Sequence, residues 1–133
     1  MKVATSIFRE YDIRGKYPQE LNEESIKKIA HAIVKKCRKE NVGSLVVGRD
    51  GRLSGPSLIE AFCDSLINSG INVKNIGLVT SPMLYFAAKK EISKSGIIIT
   101  GSHNPKNYNG IKMVIDDKPV SGSEILELME DIS

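Results

Sequence analysis

The first clear pattern in the chain is an apolar stripe at helical spacing that follows Asn22. Two glutamates come directly after Asn22, and basic residues occupy the last turn of the stripe. A polar cap, an acidic first turn and a basic last turn all suit the dipole of a helix. The stripe consists of Ile26, Ile29, Ala30, Ile33, Val34 and Cys37. The pattern therefore predicts an amphipathic helix that begins after Asn22.

Short apolar runs and helical patterns then alternate. Residues 45–47 form a continuous apolar run that stops at Gly48, which is typical of a strand buried on both faces. A helix capped by Ser54, with Pro56 in its first turn, is predicted to follow and to close at Gly70. The residues of this helix that are predicted to point inward are Leu58, Ile59, Phe62, Leu66 and Ile67.

The same alternation continues over the next segments. Residues 71–79 predict a second strand, residues 82–90 a short helix capped by Thr80 or Ser81, and residues 96–100 a third strand. Strands that alternate with helices are typical of a layered α/β fold.

The alternation breaks after the third strand. Only the polar residues 101–110 separate it from the next apolar run, residues 111–115, whereas a parallel crossover needs a dozen or more residues. An antiparallel pair is therefore predicted here, followed by a turn at residues 116–119. A last helix, capped by Ser123, would carry Ile125, Leu126, Leu128 and Met129. The predicted fold is a layered mixed sheet, mostly parallel with an antiparallel last strand, flanked by helices.

Length and composition fit one globular unit over residues 1–133, with 41% hydrophobic and 26% charged residues. A net charge of +3 spread along the chain and 5% aromatics argue against a nucleic-acid partner. No run approaches the ~20 apolar residues of a membrane span, and the start lacks a signal peptide. We therefore expect a cytoplasmic protein without a membrane partner. Cys37 and Cys63 are expected to be buried, reduced thiols, and the spacing of histidines and cysteines predicts no zinc site.

The most unusual segment is TGSHNPKNYNGIK, residues 100–112, at the carboxyl end of the third strand. Ligands bind at that edge in open α/β sheets. Gly101 and Gly110 allow unusual backbone geometry and Pro105 stiffens the middle, so the loop could hold Ser102 and His103 out rigidly. Composition alone favours an ordinary surface turn. The case for a catalytic role therefore depends on the particular sequence of this loop.

The string TGSHNP, with YNGIK close behind, resembles the active-site loop of the α-D-phosphohexomutases, and most of all that of the phosphomannomutase/phosphoglucomutase group. FREYDIRG at residues 8–15 resembles the N-terminal strand and loop of this family, and VGRDGRLSGPSL at residues 47–58 resembles its first βα junction. The resemblance covers the chain from Ile7 onward. It implies that residues 1–133 are the first domain of a four-domain enzyme.

The resemblance also implies a reaction. In the family, the loop serine gives its phosphate to a hexose phosphate and takes another back from the bisphosphorylated intermediate, a hexose 1,6-bisphosphate. Ser102 would be that serine, Lys112 a general acid or base, Arg14 a clamp on the reacting phosphate, and His103 a supporting donor. The residues that the resemblance assigns to substrate binding are Tyr11, Arg14, His103, Asn104 and Lys112.

Three charged residues lie in the predicted first βα junction. Arg49, Asp50 and Arg52 precede a helix N-terminus, where anions bind readily, but such residues more often fix turns through local ion pairs. We expect them to have a structural or supporting role. His31 lies off the apolar stripe and is expected to be solvated.

The family resemblance implies a Mg²⁺ ion that touches the phosphate on Ser102 and is held mainly by an acidic loop of another domain. The chain contains no DGDGDR-like loop, no sugar-recognition loop and no C-terminal phosphate-binding loop. The expected partners are therefore a hexose phosphate and the remaining domains of the enzyme, and the chain alone is expected to be inactive. Two alternatives stay open: a phosphoglucosamine mutase, whose loop more often has alanine where Gly101 stands, and a non-catalytic phosphate-binding module.

Overall fold

The computed structural model describes residues 3–9 and 12–132, in which a mixed sheet lies between two layers of helices. The strands are β1 Ile13–Lys16, β2 Ser44–Arg49, β3 Asn72–Leu78, β4 Gly96–Ile99, β5 Tyr108–Ile115 and β6 Lys118–Pro119. The helices are α1 Glu23–Lys39, α2 Gly55–Asn68, α3 Ser81–Lys90 and α4 Ser123–Ile132, and a short 3₁₀ helix covers Thr5–Ile7.

The strands follow the order β1-β5-β4-β2-β3, with β6 paired to β5. β2 is parallel to β3 and β4, whereas β5 is antiparallel to β4, β1 and β6. Within the described ranges, β5 is thus the single strand that runs against the others. The predicted mixed sheet and the antiparallel β4–β5 pair are confirmed.

The fifth strand begins earlier than predicted, so the loop before it is shorter. β5 starts at Tyr108, where residues 101–110 were expected to be loop. The reason is pairing with β1, because Arg14 lies opposite Gly110 and Gly15 opposite Asn109. Backbone hydrogen bonds to a neighbouring strand extend β5 through residues that no apolar pattern marks. The connecting loop is therefore residues 100–107.

The two faces of the sheet are covered unequally. Leu45 and Val47 of β2 point into the larger core, which α1, α2 and α4 cover, while Val46 points to the opposite face. There Val46 packs with Ile98 of β4 and Leu84 of α3. All three β2 residues are nearly inaccessible, which confirms the prediction of a strand buried on both faces.

Two features of the helices differ from the prediction. Ile67 of α2 is 55% exposed, because Leu58, Phe62 and Leu66 at intervals of four residues already form the buried face. Ser54 precedes α2 but makes no side-chain cap; its Oγ instead accepts a hydrogen bond from Asn109 Nδ2 at 2.8 Å. The helix still closes at Gly70, which has a φ of +90°.

The remaining helix ends largely follow the prediction. Thr80 caps α3 and accepts a hydrogen bond from the amide of Met83. Ser123 is the first residue of α4 rather than its cap, and Ile125 and Leu128 of that helix are buried. The side chain of Met129 lies outside the described part of the structure.

The side chains of both cysteines are buried and unpaired, as expected. Burial raises the pKa of Cys37 and that of Cys63 to about 11, so both stay protonated at neutral pH. His31 is exposed on α1. In the part of the chain that the structure describes, every helix is too short or too polar to cross a bilayer.

The N-terminus of α1 is closed by a reciprocal pair of hydrogen bonds. Asn22 Oδ1 accepts from the amide of Ser25 at 2.8 Å, and Ser25 Oγ accepts from the amide of Asn22 at 2.9 Å. This capping box satisfies two amides that the helix itself cannot.

We expect Asn22→Ala to lower the free energy of unfolding by about 1 kcal/mol, because the replaced side chain leaves a helix amide unsatisfied. Urea unfolding followed by circular dichroism measures the change. Asn68→Ala, at the exposed end of α2, is the matched control and should change stability by less than about 0.5 kcal/mol. Equal effects of the two substitutions would contradict the capping role.

Candidate active site

The loop at residues 100–107 leaves the carboxyl edge of β4 and is anchored where it begins. Thr100 is buried, and its Oγ1 donates to Asp50 Oδ2 at 2.8 Å while accepting from the amide of Ser102 at 3.1 Å. Ser102 has a φ of +51°, a left-handed conformation that non-glycine residues seldom adopt. Such a conformation persists only where surrounding contacts impose it.

Arg52 contacts this loop from the segment between β2 and α2. Its Nη2 donates to the carbonyl oxygens of Ser102 at 2.9 Å and of Asn104 at 2.8 Å. Its Nη1 donates to the carbonyl oxygens of Pro105 and Tyr108. One guanidinium group therefore holds four backbone carbonyls, from one end of the loop to the other.

Asp50 fixes both the loop and Arg52. Its Oδ2 accepts from Thr100 Oγ1, from the amide of Gly101 at 3.0 Å and from Arg52 Nε at 3.3 Å. Its Oδ1 accepts from the amide of Arg52 at 3.2 Å. The carboxylate thus joins the edge loops of β2 and β4, which are neighbouring parallel strands. The neighbouring Arg49 only donates to the Asp50 carbonyl.

An open cleft of about 730 Å³ lies beside the loop. Ser102, His103 and Lys112 all line it, together with Thr80 and Ser81 at the N-terminus of α3. Lys112 is half-buried on β5, opposite Ile98 of β4. The structure therefore brings together three of the residues that the sequence pointed to, around a space large enough for a small ligand.

Arg14 approaches the loop from β1. It lies opposite Gly110, so its side chain emerges on the same face of the sheet as Lys112 two residues further along β5. Its Nη1 donates to Asn104 Oδ1 at 3.4 Å, and its Nε lies 3.1 Å from Asp12 Oδ1 in an ion pair without hydrogen-bond alignment. Arg14 is not among the described residues that line the cleft.

Gly110 is what allows β1 to come this close. A Cβ at Gly110 would collide with the carbonyl oxygen of Ile13. The glycine therefore has a packing role in placing Arg14 beside the loop.

The side chain of Asn104 is engaged within the loop. Its Nδ2 donates to the carbonyl of Gly101 at 2.9 Å, and its Oδ1 accepts from Arg14. A role of Asn104 in substrate binding stays a prediction. Tyr11 lies outside the described residues, so its predicted place in the pocket stays a prediction as well.

The described carboxylates do not fit a resident Mg²⁺ ion. Asp50 Oδ2 already accepts three hydrogen bonds, and Asp12 is paired with Arg14. No group of three histidine, cysteine, aspartate or glutamate side chains within residues 3–9 and 12–132 could hold a metal. A divalent cation at Ser102 would thus need carboxylates from outside these ranges.

The chain resembles known proteins over nearly all of its length. Residues 5–133 match the family model described as phosphoglucomutase/phosphomannomutase, alpha/beta/alpha domain I. The chain is 46% identical over 130 residues to a phosphoglucomutase of Neisseria meningitidis serogroup B, which covers 98% of this chain and 28% of that protein. It is 45% identical over 127 residues to a phosphomannomutase/phosphoglucomutase of Pseudomonas syringae pv. tomato, with 96% and 27% covered.

A solved structure of a related protein has the same fold. The crystal structure of a phosphoglucomutase/phosphomannomutase family protein from Burkholderia thailandensis superposes with a TM-score of 0.93 at 38% identity, covering 98% of this chain and 30% of that one. The chain thus spans less than a third of the length of the relatives it matches.

Proposed function

The chain belongs to the phosphoglucomutase/phosphomannomutase family, whose α/β/α domain I it matches, and on that premise we propose that Ser102 carries a phosphate exchanged with hexose phosphates. The proposed reaction interconverts the 1-phosphate and 6-phosphate of glucose or mannose, the two sugars in the names of the relatives. The observation that carries the proposal is that Ser102, His103 and Lys112 line one cleft.

The proposed step is a transfer between two oxygens. The bond between phosphorus and Ser102 Oγ breaks as a bond forms from phosphorus to a sugar hydroxyl. Lys112 takes the proton of that hydroxyl and returns a proton to Ser102 Oγ. The hexose 1,6-bisphosphate so formed then turns over and gives its other phosphate back to the serine. Transfers of this kind need positioning and charge stabilisation more than covalent help.

We propose that cationic and polar donors of this chain stabilise the negative charge of the phosphate during the transfer. Arg14 uses part of its guanidinium on Asp12 and Asn104 and keeps further N–H groups for phosphate oxygens. His103 lies next to the serine and lines the same cleft, where it would donate to the phosphate or the sugar. Tyr11 and Asn104 are proposed to shape the substrate side of the pocket.

The proposal needs more than these residues. The described carboxylates do not fit a Mg²⁺ ion, so the phosphate on Ser102 is the ligand that we propose this chain would add. The relatives are more than three times as long, so we propose that metal binding, sugar recognition and binding of the second phosphate belong to further domains. We accordingly expect the isolated chain not to turn over substrate.

Phosphopeptide mapping tests the proposal. After the protein from its native source is incubated with glucose 1,6-bisphosphate, phosphate is expected on Ser102, because the bisphosphorylated sugar donates to that oxygen. Ser81 lines the same cleft and is the matched control, which should stay unmodified. A Ser81→Ala variant should be labelled normally. Phosphate on Ser81, or none on Ser102, would show that the cleft has another function.

A further inference from the structure

We propose that Arg52 is a positioning residue for phosphotransfer, which holds the Ser102 loop in its working shape and does not itself bind the phosphate. The kinetic part of this inference rests on the proposed function, whereas its structural part does not. The sequence favoured a local turn-fixing role for Arg52, and its ion pair with Asp50 is local. Its other four acceptors, however, lie about fifty residues away along the chain, at Ser102, Asn104, Pro105 and Tyr108.

The donor capacity of Arg52 is fully used. A guanidinium group carries five N–H donors in a fixed plane. Arg52 directs them to five acceptors, which are Asp50 Oδ2 and the carbonyl oxygens of Ser102, Asn104, Pro105 and Tyr108. No N–H is left over for a phosphate oxygen, so the charge of Arg52 is directed at the backbone of the loop.

The position of Arg52 agrees with this role. Arg52 lines a second hollow with Leu53 and Lys106, and it is not among the described residues that line the cleft of Ser102 and Lys112. Its side chain is only 15% exposed. The loop packs directly on it, since a Cβ at Gly101 would collide with the guanidinium group of Arg52. This packing holds the side chain of Arg52 in one conformation.

Two consequences for Ser102 follow from the contacts. The first is conformational, because the carbonyl held by Arg52 belongs to the residue with the unfavourable positive φ. The second is electrostatic, because the negative ends of four peptide dipoles point at Arg52 and not at the cleft. Carbonyl oxygens turned toward the cleft would repel a phosphate on Ser102.

Two substitutions in the complete enzyme test the kinetic part. Arg52→Lys keeps the charge but offers three donors without the planar fork, and Arg52→Ala removes the group. We expect kcat to fall about a hundredfold in each, the scale seen when reacting groups are misplaced by about 1 Å, with KM unchanged. Added guanidinium ion should restore part of the kcat of Arg52→Ala by filling the vacated site.

Arg38→Ala is the matched control. Arg38 also donates its guanidinium to a backbone carbonyl, that of Ser69 at 2.9 Å, but on a remote surface. It should keep the kcat of the parent and show no response to guanidinium ion. A raised KM with normal kcat in Arg52→Lys would mean that Arg52 binds the substrate phosphate directly and would overturn the proposal, as would unchanged kinetics.

Hydrogen exchange on the 133-residue chain tests the structural part without any turnover. Within the loop, the amides of Asn104 and Tyr108 donate to the carbonyls of Gly101 and Pro105. Loss of charged hydrogen bonds should speed their exchange about tenfold or more in Arg52→Lys. If the Arg52 variants do not fold, Asp50→Asn weakens the same cluster and should show the same faster exchange. Parent-like exchange in the variants would overturn the proposal.

The two proposals fail in different ways. If Ser102 is never phosphorylated but exchange in the loop still depends on Arg52, the proposed function is wrong and the structural role of Arg52 holds. If Ser102 is phosphorylated and the Arg52 variants transfer phosphate at the parental rate, only the positioning role is wrong.

Discussion

Replacing Ser102 by alanine is expected to lower the kcat of the complete enzyme on the order of 10⁶-fold, the scale measured when a hydrolase loses its nucleophile. The hydroxyl oxygen is the atom that carries the phosphate between the two half-reactions, and alanine offers no atom to replace it. A coupled assay of glucose 1-phosphate conversion measures the loss. Thermal unfolding should be little changed, because the half-buried Ser102 holds its loop through backbone atoms.

Ser81→Ala separates the loss of the nucleophile from a general disturbance of the cleft. Ser81 lines the same cleft from α3, so its removal changes the polarity of the wall and leaves the transferred group in place. We expect the kcat of Ser81→Ala to stay within about tenfold of the parent, since it loses at most one neutral hydrogen bond. If Ser102→Ala were as active as Ser81→Ala, the phosphate would have another carrier.

Replacing Phe62 by alanine should lower the free energy of unfolding by about 3–5 kcal/mol. Phe62 is fully buried in the middle of α2, where it packs in the large core beneath the sheet. Its removal loses the transfer free energy of the ring and leaves a cavity that the surrounding structure cannot close completely. Urea unfolding followed by circular dichroism measures the difference.

The matched control lies five residues further along the same helix. Ile67 is 55% exposed, so Ile67→Ala should cost less than about 1 kcal/mol. The pair also tests the corrected orientation of α2, for which the sequence predicted both residues to point inward. Equal losses in the two variants would contradict the structure and favour the sequence-based assignment.

The sequence predicted the elements of the fold well because most of them carry their signals locally. The cap at Asn22, the apolar run at residues 45–47 and the glycine at the end of α2 each report on their own neighbourhood. The start of β5 was predicted wrongly because its signal is not local. Asn109 and Gly110 are in a strand because β1 pairs with them, and β1 lies nearly a hundred residues earlier in the chain. No window around residue 109 contains that information.

The site was predicted only in part, because some of its contacts join residues that lie far apart in the sequence. The resemblance pointed to Ser102, His103 and Lys112, and the structure places them on one cleft. The sequence analysis gave Asp50 and Arg52 a structural or supporting role. Their full set of contacts could not be predicted from local spacing. One signal was available: β2 and β4 are parallel neighbours, so the loops at their carboxyl ends must meet. That inference requires the strand order, which the alternation of elements does not give.

The strand order also has a consequence for biosynthesis. Of the strands within residues 12–132, β1 is translated before the others, and its hydrogen-bonding partner in the sheet is β5, with Ile13 opposite Ile111. β1 can therefore join the sheet only after the segment that follows β4 has been translated. Since Arg14 lies in that strand, its approach to Asn104 depends on this late pairing. A nascent chain stalled before β5 has α1, α2 and α3 and the parallel strands β2, β3 and β4 available to fold. It lacks the strand that places Arg14 beside the loop.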